Sequence, residues 1–231
     1  LIAPANEKAH AALMDRVYRR QRHFYDLTRK YYLLGRDRLV RELQARPGDC
    51  VVEIGCGTAR NLIRIAQRYP GVRLFGLDAS AEMLRTATDA LARAGLSERV
   101  VLKQGLAENV TPRFFGLDAP FDHAIFSYSL SMIPDWRAAL AAAASSLREE
   151  GRLHVVDFGD QRTFWPIARR ALRAWLGLFH VAPRDELLGA LETTNSGEEG
   201  YTLHVLPGRY AFVLKVAPRS VAGLIKAVPA K

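Results

Sequence analysis

Only two cysteines, Cys50 and Cys56, occur in 231 residues, and they flank one short apolar run. Thiols so placed supply no disulfide framework and suit a reducing cytosol. Long apolar runs are missing as well: none reaches the roughly 18 residues of a membrane-spanning helix. The opening Leu1-Ile-Ala-Pro-Ala-Asn-Glu-Lys8 lacks the charged-then-apolar order of a secretory leader. No Cys/His cluster has metal-ligand spacing, so no metal site is expected, and no Ser-His-Asp order is legible. There is no internal repeat, and the only biased tract is an alanine-rich stretch at 138–144. What remains is 49% hydrophobic and 25% charged, with a net charge of +9. That is enough to bury a core as one domain with embellishments.

The richest segment is Val51-Val-Glu-Ile-Gly-Cys-Gly-Thr-Ala-Arg-Asn61, followed by Leu74-Phe-Gly-Leu-Asp78. The run 50–54 is short and β-branched, as a buried parallel strand should be. Gly55 and Gly57 allow a tight turn and close approach to a ligand. Apolar residues at 62, 63, 65, 66 and 69 then follow a helical pattern that stops before Pro70-Gly71. Strand, turn, helix and strand make a nucleoside-binding unit. A dinucleotide site needs a third glycine where Arg60 stands, and a phosphate loop needs Gly-x-x-x-x-Gly-Lys-Ser/Thr, which is absent.

Glu53-x-Gly55-x-Gly57 with Asp78 resembles motif I and its acidic partner in class I S-adenosylmethionine-dependent methyltransferases. The resemblance implies S-adenosyl-L-methionine as cofactor. The turn Gly55-Cys56-Gly57 would hold its methionine end, and Asp78 would accept hydrogen bonds from both ribose hydroxyls, a charge-assisted pairing. Ala59 stands where many relatives have glycine, and its methyl is expected to be tolerated at a helix start.

Further strand-like runs lie at 73–77, 100–103, 121–127, 152–157, 201–206 and 210–216, with helical patterns at 81–94 and 136–147 between them. With 50–54 they make seven strands, the last two joined by the hairpin-length Pro207-Gly208-Arg209. The expected fold is α/β: a Rossmann-like, seven-stranded, mostly parallel sheet with a C-terminal antiparallel hairpin and an N-terminal helical extension. In such sheets ligands sit beyond the carboxyl ends of the strands. Ala79 and Met83 after the second strand, and Gln104, Gly105, Leu106 and Ala107 after the third, are therefore candidates for the adenosine. Leu106 replaces the family's adenine-binding Asp, so adenine would depend on backbone, Gln104 and apolar stacking. Ser127 and Tyr128 follow the fourth strand, where the resemblance implies an opening towards the methyl group and the acceptor.

Tyr18, Tyr25 and Tyr32 are seven apart and share a helix face, amid many arginines. They either pack on the sheet or face a ligand. Residues 14–38, Met-Asp-Arg-Val-Tyr-Arg-Arg-Gln-Arg-His-Phe-Tyr-Asp-Leu-Thr-Arg-Lys-Tyr-Tyr-Leu-Leu-Gly-Arg-Asp-Arg, resemble the N-terminal region of bacterial diacylglycerylhomoserine N-methyltransferases of betaine lipid synthesis. Ser127-Tyr-Ser-Leu-Ser-Met-Ile-Pro-Asp-Trp136 and Asp157-Phe-Gly159 resemble them too, and the likeness spans about 10–216. Tyr25-Asp26 and Gly35-Arg36 also resemble quinone C-methyltransferases, the alternative reading.

The lipid resemblance implies successive methylation of a headgroup amine, and a separate 3-amino-3-carboxypropyl transferase as upstream partner. Methyl transfer is an in-line displacement, so alignment of the reacting atoms dominates. With an amine pKa near ~8, about a tenth of the acceptor is neutral at pH 7, so a dedicated base is helpful but not obligatory. Aromatic faces that hold the growing quaternary ammonium contribute roughly 0.5–2 kcal/mol each, and Tyr25, Tyr32 and Tyr128 are the candidates. Arg29 or Arg36 is placed to grip a carboxylate by a bidentate fork. His180 either reaches the site's mouth or caps a helix end, and His154 is read as a core or surface residue rather than a base.

Arg162, Arg169, Arg170 and Arg173 lie opposite Phe164, Ala168, Leu172, Trp175 and Phe179 on a helical projection. Helix 162–179 is thus either an interfacial helix drawn to anionic lipid or an amphipathic helix packed on its own domain. The positive charge also fits RNA, but no Asn/Asp-Pro-Pro-Tyr/Phe motif of base N-methylating enzymes occurs, and nucleic acid is not favoured. The expected organisation is an N-terminal lid at 1–46, a methyltransferase domain at 47–216 with a helical insertion at 163–193, and a loosely ordered basic tail at 217–231. The expected location is cytoplasmic, on the inner face of the membrane.

Overall fold

A computed structural model describes residues 33–193 and 200–229. Its centre is β1 (Cys50–Ile54), every residue of which is buried. A strand covered on both faces reads as an unbroken apolar run, and Cys-Val-Val-Glu-Ile is such a run but for Glu53. The parallel strands β2 (Arg73–Asp78) and β3 (Val100–Gln104) lie on one side of β1, and β4 (Phe121–Ser127) and β5 (Leu147–Phe158) on the other. The sheet order is β3-β2-β1-β4-β5-β7-β6. β7 (Ala211–Val216) runs antiparallel to both β5 and β6 (Tyr201–Val205). Six strands therefore point one way and one points back, as the sequence leads one to expect.

Among the described residues seven helices flank the sheet: α1 (Arg36–Glu42), α2 (Arg60–Arg68), α3 (Ala81–Arg93), α4 (Trp136–Ser145), α5 (Pro166–Gly177), α6 (Asp185–Thr193) and α7 (Pro218–Ala227). Their starts are chemically marked. The Ser80 hydroxyl accepts from the Met83 N–H at 3.3 Å and the Asp135 carboxylate from the Ala138 N–H at 3.0 Å, each satisfying an otherwise orphaned donor. Pro166 and Pro218 begin their helices where no N–H is required. Alternation along the strands divides the core. Val52, Ala124 and Phe126 face α4, α6 and α7, whereas Val51 and Ile125 face α1, α2, α3 and α5.

Within the stretch expected as a loose basic tail, 217–231, the described residues 217–229 are packed on the domain. Val221, Leu224 and Val228 are buried in the first of these cores, and the Arg137 guanidinium donates to the Pro229 carbonyl at 2.8 Å. The basic residues Arg219 and Lys226 occupy the opposite, exposed face of α7. The stretch 163–193 forms two helices, α5 and α6, between β5 and β6. Most of the expected lid, including Tyr18, Tyr25, Arg29 and Tyr32, lies outside the described residues. Among those described, no helix is long and apolar enough to cross a membrane.

Candidate active site

Between β1 and β4 the sheet order reverses, which opens a crevice at the carboxyl ends of the strands. The turn after β1 sits there. Gly55 and Gly57 both have left-handed backbones, with φ of 74° and 53°, which suit glycine. The Gly55 and Cys56 N–H groups donate to the Leu77 carbonyl at 2.8 and 3.0 Å, hanging the turn from the end of β2. On the other side the Ser129 hydroxyl donates to the Ile54 carbonyl at 2.7 Å. A Cβ on Gly55 would run into the Ser129 side chain, so this glycine is what lets the β4 loop close on the turn. Ala59 is also left-handed, at φ 60° and ψ 17°, and fully buried. A helix start does not by itself accommodate its methyl; the surrounding packing holds a backbone that glycine would adopt with less strain.

Asp78 is fixed by the turn it faces. Its two carboxylate oxygens accept from the Gly57 N–H at 2.8 Å and the Ser80 N–H at 2.9 Å. A carboxylate has about four lone-pair directions, so acceptor capacity is left for a diol. Glu53 is placed differently, being 1% exposed and accepting from the Asn61 amide at 2.7 Å. It ties β1 to the first turn of α2 from beneath the glycines. Cys56 lies within the turn, and burial, with the charges of Asp78 and Glu53, pushes its thiol well up. The thiol stays protonated and is no nucleophile.

The adenosine side gathers the next candidates. Ala79 is half-buried, and its carbonyl accepts from the Gln104 amide at 3.1 Å. The Gly105 N–H donates to the Asp78 carbonyl at 3.0 Å, binding the ends of β2 and β3 together. Leu106 is extended and half-buried ahead of a short 3₁₀ turn, Ala107–Asn109. Met83 packs with Met132 and Phe179, an apolar wall that links α3 to the loops after β4 and α5.

On the acceptor side the structure revises several expectations. Tyr128 is 2% exposed, its ring meets Phe158 edge-on at 4.7 Å, and its hydroxyl donates to the Leu34 carbonyl at 2.5 Å. Burial, with Asp157 and Tyr210 nearby, raises its pKa well above the usual phenol value, while Arg36 opposes this. It is a buried anchor for the segment entering α1 rather than an open face for an ammonium group. Arg36 is buried beside it. His180 is exposed and its backbone closes the end of α5. Its backbone has φ 57°, its N–H donates to the Gly177 carbonyl at 3.1 Å, and the next N–H, of Val181, reaches Leu176 at 3.2 Å. That is a Schellman cap on α5, with histidine in the position glycine usually takes. His154 is a core residue, 3.2 Å from the His123 ring.

Helix α5 corrects the reading of its charge. Arg162 pairs with Glu192 at 2.8 Å and Arg173 with Asp185 at 2.7 Å, while Arg169 donates to the Asp160 carbonyl at 2.9 Å. Leu172 and Trp175 pack on the domain, as does Phe179 against Met83. Three of the four arginines expected to meet lipid therefore hold the helix to its own domain.

Some contributors have contacts that the sequence reading did not give them. Phe158, Tyr210 and Phe164 continue from Tyr128 as an aromatic row, at 5.9 Å and then 6.4 Å. Asp157, buried at the end of β5, accepts from the Ser131 N–H at 2.9 Å and sets the loop after β4. Tyr210 and Arg209 were legible in principle. β6 runs parallel to β5, so the turn that follows it must return to the crevice edge.

Asp78, the glycine turn and α2 fit an S-adenosylmethionine group. The first turn of α2 has no side-chain cap, and a helix start of this kind accepts a carboxylate. The Ser127 hydroxyl, buried at the end of β4, has no hydrogen-bond partner among the described residues.

Residues 51–151 match the family model described as a methyltransferase domain. The chain is 34% identical over 153 residues to a demethylmenaquinone methyltransferase of Mycobacterium marinum, covering 64% of this chain and 58% of that protein. It is 34% identical over 122 residues to a 27-O-demethylrifamycin SV methyltransferase of Amycolatopsis mediterranei, covering 53% and 43%. The chain thus spans about half the length of these curated relatives. Among solved structures, a methyltransferase of Thermotoga maritima described as a possible histamine N-methyltransferase superposes with a TM-score of 0.61 at 18% identity, covering 89% of this chain and 99% of that one. Residues 51–151 thus match a methyltransferase domain, and the crevice at the carboxyl ends of β1 and β4 lies within the matched segment.

Proposed function

We propose that the chain methylates an acceptor carried in a membrane, and that this acceptor is the headgroup amine of diacylglycerylhomoserine, methylated in successive rounds to the trimethylated betaine lipid. The observation that carries the specific acceptor is the sequence of residues 14–38 with 127–136. The cofactor supplies a methyl group on a sulfonium. Asp78 and the glycine turn fix its position, and Ser127 is the nearest polar group of β4 able to orient a ligand. Arg36, buried next to Tyr128, offers the acceptor's carboxylate a counter-charge. The row Phe158, Tyr210 and Phe164 supplies aromatic surface on the same side. No buried carboxylate is required as base, because the neutral fraction of the amine sustains turnover.

A different observation favours a second reading. The relatives are named for quinone and antibiotic small molecules, and they support a small-molecule acceptor, a quinone ring carbon included, more directly than they support a lipid amine. One experiment separates the two: incubation with S-adenosylmethionine and total lipid extract, followed by mass spectrometry. Gains of one, two and three methyl groups on the homoserine lipid support the first reading. Methylation of quinone alone overturns it.

A further inference from the structure

Helix α5 leaves one face without a protein partner among the described residues. Ile167, Ala171, Ala174 and Leu178 are all exposed and recur at intervals of four, three and four, so they form one stripe. Trp165 stands at its N-terminal end. Trp165 and Ile167 are each 82% exposed and Leu178 is 68% exposed, large values for side chains of this kind. Beside the stripe, Arg170 is exposed and makes no ion pair among the described residues, whereas the other arginines of the helix are bonded inward. The helix contains no acidic residue. It follows β5, so the chain enters it from the carboxyl ends of the parallel strands, where the glycine turn also lies.

We propose that this stripe is the surface by which the protein enters an anionic bilayer, and that it docks chiefly by apolar insertion, with the helix lying in the interface plane. The proposal rests on the reading above that the acceptor is membrane-borne. A tryptophan at one end and a lone cation on the flank match the headgroup boundary, where an apolar face sinks roughly 5–10 Å. Charge complementarity selects this occupant. A second copy meeting stripe to stripe would bring Arg170 towards its own counterpart, on a chain already at +9. Because Arg162, Arg169 and Arg173 are neutralised within the fold, high salt should weaken docking far less than loss of the apolar side chains does.

The test uses the full chain and sedimentation with vesicles of phosphatidylcholine alone or mixed with phosphatidylglycerol, at low and high salt. The double variant Ile167→Asp with Leu178→Asp should lose at least about tenfold in vesicle affinity at both salt concentrations. Arg170→Gln should lose no more than about threefold. The double variant should keep its cofactor affinity by calorimetry and its melting temperature, because the side chains it changes are largely exposed among the described residues. Four results would each overturn the proposal: vesicle binding within twofold of wild type in the double variant, binding abolished by salt alone, a wild-type dimer that the double variant dissociates, or a fall in melting temperature showing that the chain itself covers the stripe. Vesicle binding needs no acceptor, so its result and the identity of the methylated lipid can fail separately.

Discussion

Asp78 is held by two backbone donors, one on each carboxylate oxygen, and the proposed ribose contact would fall on the same two oxygens. Asp78→Asn removes the charge while keeping one acceptor. Hydrogen bonds to charged groups are worth about 1.5–3 kcal/mol, so cofactor affinity by calorimetry should fall roughly 10- to 100-fold. A change below threefold would mean that the ribose is held elsewhere. Tyr128 separates anchoring from chemistry. Tyr128→Phe deletes the bond to the Leu34 carbonyl and should cost about 1–3 kcal/mol in a urea titration, with kcat at saturating acceptor within about threefold of wild type. A hundredfold loss of kcat with unchanged stability would restore the tyrosine to the reacting centre. Individual residues with backbone consequences were the most readable, because Gly55, Gly57 and Asp78 are dictated by turn geometry. Tyr128 was misread because its sequence position says where its backbone lies and nothing about which way its ring turns.

Two pairs of elements carry further consequences. His123 on β4 and His154 on β5 are adjacent across the sheet and both buried. Burial lowers both pKa values, His154 the further, and Lys215 on β7 adds repulsion to each; Arg152 repels His154, while Asp49 and Asp122 partly offset the effect at His123. Both folded-state values lie below the unfolded value of about 6.5. Above that pH neither state is charged and the full contribution is present. As pH falls through it the unfolded chain takes up protons that the folded chain refuses, and stability is lost until the folded values are reached. Urea midpoints should therefore drop between pH 7.5 and about 5.5, above the range where carboxylates titrate, and His123→Asn with His154→Gln should flatten that slope. The second pair is the β6–β7 turn and the loop after β5. Arg209 grips Asp160 at 2.7 and 2.8 Å and Glu192 at 2.6 and 2.9 Å, and these carboxylates hold its guanidinium above its usual range. Arg209→Ala leaves the more exposed Arg162 to bridge Asp160 and Glu192, so hydrogen exchange across 158–177 should quicken at a cost of about 2 kcal/mol in stability. Unchanged exchange in α5 would show that the network does not restrain that helix. Strand and helix spans were legible from periodicity, but ion-pair partners some 17 to 49 residues apart were not, because the helical projection of α5 shows its arginines without the acids that meet them.

The whole molecule explains why the C-terminal end was misjudged. A run with three basic residues and no acid reads as solvated when taken alone. In the folded chain β7 returns beside β5 and delivers residues 218–227 to the face that α4 and α6 leave open, where Val221 and Leu224 complete the core. The pattern of Val221, Leu224 and Val228 was present, but a ten-residue helix is marginal without tertiary packing, so only the sheet topology gives it meaning. Substitution distinguishes the two pictures. Leu224→Ala removes a side chain that is 3% exposed and should destabilise the protein by about 2–5 kcal/mol, a large part of the 5–15 kcal/mol typical of a domain. Arg219→Glu with Lys226→Glu changes the net charge by four units at exposed positions and should move stability by about 0.5 kcal/mol or less per site. If the segment acted as a basic extension, the order would invert, with the charge reversals altering behaviour and Leu224→Ala leaving the denaturation midpoint where it was.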